Sequence, residues 1–398
     1  MEDEYAVLVL GDREGRLVMN LNHKIGKTKL VPAETRGLFI ISLFCLPRAI
    51  QCFWASRATF TTALKDFEKA YGFKKLSHRS ILGKRLYLVL KSVQFIVKAC
   101  RIISADPRIV LNQIDNSVEF QLLDVILHKK IRFITIQNGN RLHASRDICG
   151  DRYEHFSNPV LFHSFLCVLS EFDIDLYKRS RANVLEYHVL GSLRADWTRR
   201  QFNRQKSGFP PLPVFDVFLV LTSNFDRDAD LQVVKLIREF CKFKKIRVCV
   251  GFKYDEASIS SEVRRKISVL FGDFSAVNFN RSPYPSIEVA LKANVVIGTL
   301  STLLREVLSF GKKIYPLNFG PSAFDTYFCS LGLCQRPSQN EFNEVLCSLL
   351  EEEEEDYRTR LRPSISSIGA FPQDVYPIER LSNLLWAHLN RSYLEANF

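Results

Sequence analysis

The sequence predicts an α/β protein built from two parallel, doubly wound domains. Three observations carry this. Short apolar runs alternate with segments of helical period through most of residues 106–320. A stretch of glycine and three prolines, KSGFPPLP at 206–213, interrupts that alternation near the middle of the chain. The length of 398 residues suits two domains, and a hydrophobic fraction of 46% supplies two cores.

The C-terminal half reads in order. Phe215–Leu221 (FDVFLVL) is an apolar strand that ends in Thr-Ser-Asn. Leu231, Val234, Leu236, Ile237 and Phe240 recur at helical spacing and predict a helix over Asp228–Phe243. IRVCVGF at 246–252 is a β-branched strand, Ser261–Leu270 a helix and Ala276–Phe279 a strand. Pro285–Leu291 is a short helix, and Val295–Ile297 a buried strand. Ser301–Phe310 is a helix stopped by Gly311, and Ile314–Leu317 is the next strand. A last helix, Pro377–Leu389, presents Ile378, Leu381, Leu384, Leu385 and Leu389 and is expected to pack back on the body.

The N-terminal half repeats the grammar. Ala6–Leu10 is the first strand. RIVLNQ at 108–113 and IRFITI at 131–136 are strands, with a helix over Ser117–Leu127 between them. A further unit runs from about 160 to 190 and ends in EYHVLGS. Residues 30–105 read as apolar, basic and helical. The expected organisation is therefore 1–205 as the N-terminal domain, 206–213 as the linker, 214–376 as the C-terminal domain and 377–398 as the closing helix. In open α/β sheets ligands bind at the carboxyl ends of the strands, so two such domains facing each other place a ligand in the cleft between them.

Composition narrows the function. The formal net charge is +12, and it is unevenly placed. Residues 1–210 hold 33 Lys+Arg against 20 Asp+Glu, whereas 211–398 hold 22 against 23. The first half should face something anionic. No CxxC pair occurs among the ten cysteines, which argues against a zinc or iron–sulfur framework. The acidic start MEDEYAVLVLGD does not resemble a signal peptide, and the longest apolar stretch, Gly37–Leu46, is too short to cross a bilayer. A cytoplasmic protein with reduced cysteines is expected. The run Glu351–Asp356 reads as a solvated helix face or loop.

The most informative stretch is Ala293–Gly320, ANVVIGTLSTLLREVLSFGKKIYPLNFG. A buried strand ends at Gly298, and a small polar turn opens a helix at Ser301 and Thr302. A helix N-terminus offers unpaired N–H groups and a positive dipole end, suited to phosphate. Glu306, one turn in, suits a ribose diol. The alternative is that Ser301 only caps the helix and Glu306 is exposed.

The pattern strand–Gly–x–x–Ser–Thr–x–x–x–Glu–x4–Gly–Lys–Lys–Ile resembles the donor-nucleotide segment of GT-B glycosyltransferases. It is most similar to bacterial surface-carbohydrate enzymes, the group of capsule and lipopolysaccharide Kdo transferases and CDP-glycerol-type polymerases. ITIQNGNR at 134–141 and VLGSL at 189–193 resemble further segments of such proteins. The resemblance covers 105–320 in pieces, and the His-Gly-Thr-Pro loop of the glycerol-phosphate polymerases is missing. It implies a GT-B fold and metal-independent transfer of a sugar from a nucleotide donor, best a CMP-sugar such as CMP-Kdo. The acceptor would be a cell-surface polysaccharide, a lipopolysaccharide or another lipid-linked glycan. No cofactor beyond the donor substrate is implied.

The implied donor contacts are Gly298, Thr299, Ser301, Thr302, Glu306 and Arg281, with Ser223, Asn224 and Lys253 as further cleft residues. For Ser223 and Asn224 an ordinary turn is at least as good a reading, and Lys253 suits plain solvation. An acceptor-side base should sit at a strand end of the N-terminal domain. Asn138 and Arg141 rank first there. Asp115, His143 and Asp12 follow, and helix capping is the competing role of Asp115. Residues 51–100, with 10 Lys+Arg against 2 Asp+Glu and interleaved apolar positions, suit the anionic inner face of a membrane, although a core helix with outward lysines fits as well. Three other readings stand beside the lead. They are a glycerol- or ribitol-phosphate transferase, an inactive glycan-binding GT-B scaffold and a basic nucleic-acid-binding protein. The last lacks any recognised module, so nucleic acid is not an expected partner.

Overall fold

The computed structural model describes residues 7–10, 28–31, 47, 50, 51, 54, 93, 95–100, 102, 103, 106–115, 118–139, 162–179, 182–205, 213–221, 228–252, 260–278, 285–299, 301–319, 328, 336–368 and 376–395. The chain separates into two compact units. The first comprises 1–168, 173–189 and 378–398, and the second comprises 169–172 and 190–377. The division thus falls at 189/190, ahead of the Gly/Pro segment at 206–213. Residues 190–205 group with the second unit, and the closing helix groups with the first.

The first unit holds β1 (Val7–Leu10), β2 (Thr28–Val31), β3 (Ile109–Asn112), α1 (Val118–Leu127), β4 (Arg132–Ile136), β5 (Phe162–His163), β6 (Leu166–Val168), α2 (Glu171–Arg179), β7 (Asn183–Val184) and β8 (Tyr187–Val189). Its main sheet runs β2-β1-β3-β4-β6-β8, and every pairing is parallel. β3 and β4 are mainly apolar and, apart from half-buried Arg132, buried on both faces, as a covered parallel sheet demands. The order reverses between β1 and β3, so the carboxyl ends of these strands mark a topological switch point. β2 corrects the helical reading at its end, since Leu30 and Val31 open the 30–105 stretch yet are strand; Thr28–Val31 pairs with β1 residue for residue.

The second unit begins with α3 (Leu193–Gln205). It continues through β9 (Phe215–Val220), α4 (Asp228–Phe243), β10 (Val248–Gly251), α5 (Ser261–Phe271), β11 (Ala276–Asn278) and α6 (Pro285–Leu291). Then follow β12 (Ala293–Gly298), α7 (Thr302–Leu308), β13 (Lys313–Pro316), α8 (Gln339–Glu351) and α9 (Glu354–Ile368). The parallel sheet runs β11-β10-β9-β12-β13, a doubly wound order with its switch point between β9 and β12. Two strands make the central layer of the core, with Val217–Leu219 on one and Val295–Ile297 on the other, all fully buried. α10 (Pro377–Glu395) closes the chain.

Local chemistry explains the ends of α7. Ser301 caps its start by accepting the Leu303 N–H. At its other end Gly311 takes φ +78°, the Gly311 N–H donates to the Leu308 carbonyl, and the Lys312 N–H reaches back to the Val307 carbonyl. This is a Schellman stop, which requires a left-handed residue and so favours glycine.

The acidic run 351–356 is more than a solvated face. Buried Lys312 pairs with Glu354, and Lys313 donates to the Glu352 carbonyl at 2.6 Å. Lys244 pairs with Glu351 and Arg360 with Glu352. The lysines entering β13 therefore anchor the α8–α9 junction. Among the described residues no helix is long and apolar enough to cross a membrane.

Candidate functional site

The switch point of the second unit gathers the motif residues. Gly298 ends β12 in register with Val220 of β9, and a Cβ built on it would lie 2.9 Å from the Val220 carbonyl oxygen. Only glycine permits that approach. Thr299 follows, nearly buried, and its hydroxyl donates to Asp230 Oδ1 at 3.3 Å. Asp230 opens α4, so this bond ties together the connections that leave β9 and β12. Ser301 spends its hydroxyl as a helix cap, 3.3 Å from the Leu303 nitrogen. Thr302 begins the helix proper.

Glu306 is only 1% exposed. Its Oε1 accepts from Ser192 Oγ at 2.6 Å and from Arg194 Nε at 3.0 Å, and its Oε2 accepts from Arg194 Nη2 at 2.5 Å. The pair is a two-point guanidinium–carboxylate fork, the strongest ion-pair geometry available. Ser192 serves twice, because its Oγ also accepts the Ala195 N–H at the start of α3. Two of the three segments that carry the family resemblance, VLGSL and the β12–α7 stretch, thus meet at one buried carboxylate. The burial of Glu306 overturns the alternative of an exposed carboxylate and shows that it clamps Ser192 and Arg194. A carboxylate accepts about four hydrogen bonds, so three are committed and Oε2 keeps one position. Next to it Arg305 is fully buried and donates to Ser170 Oγ at 2.8 Å.

The first unit builds a different network at the ends of β3 and β4. Asp115 is fully buried. Its Oδ2 accepts from the Tyr177 hydroxyl at 2.7 Å, and its Oδ1 accepts the Asn138 N–H at 3.1 Å. The Asp115 carbonyl accepts from Gln121 at 2.8 Å. Gln137 donates to Asp173 Oδ1 and to the Gly139 carbonyl, both at 2.9 Å. These bonds fix the backbone of 137–139 and leave the Asn138 side chain exposed. Asp115 therefore sits as a bracket between β3, α2 and the loop after β4, and not as a solvent-facing carboxylate.

Asp12, Arg141, His143, Ser223, Asn224, Lys253 and Arg281 lie outside the described residues. Ser192, Arg194, Tyr177, Asp173 and Asp230 escaped the sequence reading. Only Ser192 carried a signal, as part of VLGSL.

No protein-family model matches this chain, and no curated protein matches it in sequence. Solved structures do match in shape. The S. aureus MnaA–UDP co-structure superposes with a TM-score of 0.55 at 11% identity, over 97% of each chain. UDP-GlcNAc 2-epimerase from Neisseria meningitidis, bound to UDP-GlcNAc, gives 0.53 at 12% identity, over 97% of this chain and 100% of its own. The Methanocaldococcus jannaschii UDP-GlcNAc 2-epimerase in complex with UDP-GlcNAc and UDP gives 0.51 at 11%, over 88% and 94%. The fold is GT-B. In a GT-B chain the two switch points found here, at β1/β3 and at β9/β12, are the places where open α/β sheets take their ligands.

Proposed function

We propose that this chain is a GT-B enzyme acting on a nucleotide-activated sugar. The observation that carries the reading is the match in fold over essentially the whole length of structures that hold UDP or UDP-GlcNAc. The second unit is the nucleotide side in this proposal. The β12–α7 turn takes the phosphates through the backbone of Gly298–Thr299 and the start of α7, where no acidic residue lies in the first turn. α4, the other helix at that switch point, opens with Asp228 and Asp230 and is the poorer host for an anion. The one acceptor position left on Glu306 Oε2 is assigned to a ribose hydroxyl.

Within this class we favour glycosyl transfer to a cell-surface glycan, because the 293–320 segment resembles surface-carbohydrate transferases. A CMP-sugar such as CMP-Kdo follows from that resemblance alone, and the bound nucleotides of the structural neighbours put UDP-sugars beside it. A second reading, epimerisation at C2 of a UDP-sugar, is favoured by the end-to-end coverage of two UDP-GlcNAc 2-epimerases.

The test is a melting-temperature panel with CMP, CDP, UDP and GDP and their sugars, since a ligand that binds only the native state must stabilise it. One base is expected to raise Tm well above the rest. The matching sugar nucleotide then yields free nucleotide if the chain is a transferase, or the C2 epimer if it is an epimerase. No shift with any nucleotide would sink the proposal.

A further inference from the structure

The second unit contains a cavity of about 340 Å³ formed by the turn after α7 and one face of α9. Ser309 and Gly311 line one side, and Glu355, Arg358, Thr359 and Arg362 line the other. Ser309–Gly311 leads into the first residue of β13, so the cavity lies at the amino ends of the strands. It is at the far end of α7 from Ser301, away from the switch point.

Its polar groups are incompletely used. Positions 355, 358, 359 and 362 follow helical spacing and share one face of α9. Arg358 donates to the Phe310 carbonyl at 3.3 Å, and it lies 3.6 and 3.7 Å from Glu354 and Glu355, both beyond hydrogen-bond reach. Its Nε is shielded from water and has no hydrogen-bond partner among the described residues. Arg362 is exposed and makes no hydrogen bond or ion pair among the described residues. Two guanidinium groups one turn apart repel unless an anion joins them. Glu355, the acidic residue of the lining, has a side chain that is 80% exposed and reaches Arg358 as a 3.7 Å ion pair, leaving Arg362 without a carboxylate among the described residues.

We infer that this cavity is an oxyanion site for a phosphate or phosphomonoester, held by Arg362, Arg358 and the Thr359 hydroxyl. A carboxylate is planar and satisfies one guanidinium fork. The open fork of Arg362, the remaining Nη1 of Arg358 and a hydroxyl approach from more than one direction and match a tetrahedral ion, whose oxygens lie in more than one plane. The volume exceeds that of phosphate alone and leaves room for the group that carries it.

The experiment titrates the full chain with sodium phosphate against sodium chloride at equal ionic strength and reads Tm. Wild type is expected to rise by roughly 2 °C at ten times the dissociation constant. Arg362→Ala should leave the phosphate-free Tm unchanged or slightly raised, because the side chain makes no hydrogen bond or ion pair among the described residues and its repulsion of Arg358 is removed, and should weaken phosphate at least tenfold. Thr359→Val should weaken it less. Ser301→Ala, at the other end of α7, should keep the full shift. Flotation with phosphatidic acid vesicles separates the two sources of the phosphate. Arg362-dependent flotation marks a lipid headgroup, and a phosphate shift without flotation marks a soluble phosphomonoester. A wild type that does not respond, or an Arg362→Ala protein that responds as wild type does, overturns the inference.

Discussion

Two buried carboxylates, one in each unit, are held in opposite ways. Glu306 in the second unit is gripped by a guanidinium fork and a hydroxyl. Asp124 in the first unit is held by the neutral Ser164, whose N–H it accepts at 2.8 Å, while its Oδ1 is buried with no hydrogen-bond partner among the described residues. His128 and Arg132 act on Asp124 only through the field, and burial pushes its carboxyl up to about 6. The comparison separates two results of placing an acid inside an α/β core. Paired with a cation, it becomes a strut between segments 112 residues apart. Held by a neutral donor, it becomes a group that pH can reach.

The strut predicts the largest effect. Arg194→Ala leaves a buried carboxylate with Ser192 alone and should cost about 3 kcal/mol of unfolding free energy. The low end of the range for buried pairs applies, because the Arg194 side chain is 37% exposed and water shares the charge. In a Glu306→Ala background the same substitution should cost less than about 1 kcal/mol. Urea unfolding of the four proteins in the cycle measures the coupling. Simple additivity would mean that the fork contributes nothing and that the two units do not differ in this way.

Asp124 gives the second test, with the opposite sign. Its carboxyl holds a proton in the native state up to about pH 6, against 3.8 as the ordinary value. Between those values the native state binds more protons than the unfolded chain, so stability falls as pH rises. Above pH 6 the penalty is complete. Asp124→Asn should therefore stabilise the protein by about 2 kcal/mol at pH 7.5 and by little at pH 4. Urea midpoints across that range decide it. A variant that destabilises equally at both pH values would show that Asp124 is a plain structural acceptor, as Asp115 is.

The same contrast explains what the sequence disclosed. α4 was legible to the residue, because Val233, Val234, Ile237 and Phe240 repeat the helical period over a polar face. β12, β9 and β4 announced themselves as short apolar runs interrupted only at Asn294, at Asp216, and at Arg132 and Thr135. α3 and α9 did not. LRADWTRRQFNRQ is polar almost throughout, and EEDYRTRLRPSISSI carries Pro363 inside the helix, where proline normally argues against one. The site was legible as a location and illegible as a set of bonds. The strand–Gly–turn–helix pattern fixes where Ser301 and Glu306 fall. Nothing in the spacing says that Ser192 and Arg194 arrive from a distant segment, since that depends on how α3 packs against α7. Tyr177 and Asp115, 62 positions apart, were hidden for the same reason.

Ser301 offers the smallest effect and the sharpest discrimination between a structural and a ligand-facing role. Its hydroxyl caps α7 through a 3.3 Å contact with the Leu303 nitrogen, at the long end of hydrogen-bond geometry. Ser301→Ala should lower stability by about 0.5–1 kcal/mol in the absence of ligand. Cap and phosphate contact predict different second measurements. If the hydroxyl only caps, the Tm increment produced by the best nucleotide is the same in the variant and in wild type, because native states with and without ligand lose the same bond. If the hydroxyl also donates to the phosphate, which it can do while accepting the Leu303 N–H, the variant loses the full cap value without ligand and part of its nucleotide increment as well. Ser301→Gly separates the two further. A glycine cap restores most of the unliganded stability, to within a few tenths of a kcal/mol, yet supplies no hydroxyl. A glycine variant with wild-type stability and a wild-type nucleotide increment would assign Ser301 wholly to the fold and leave the backbone of Gly298 and Thr299 as the phosphate side of the proposed site.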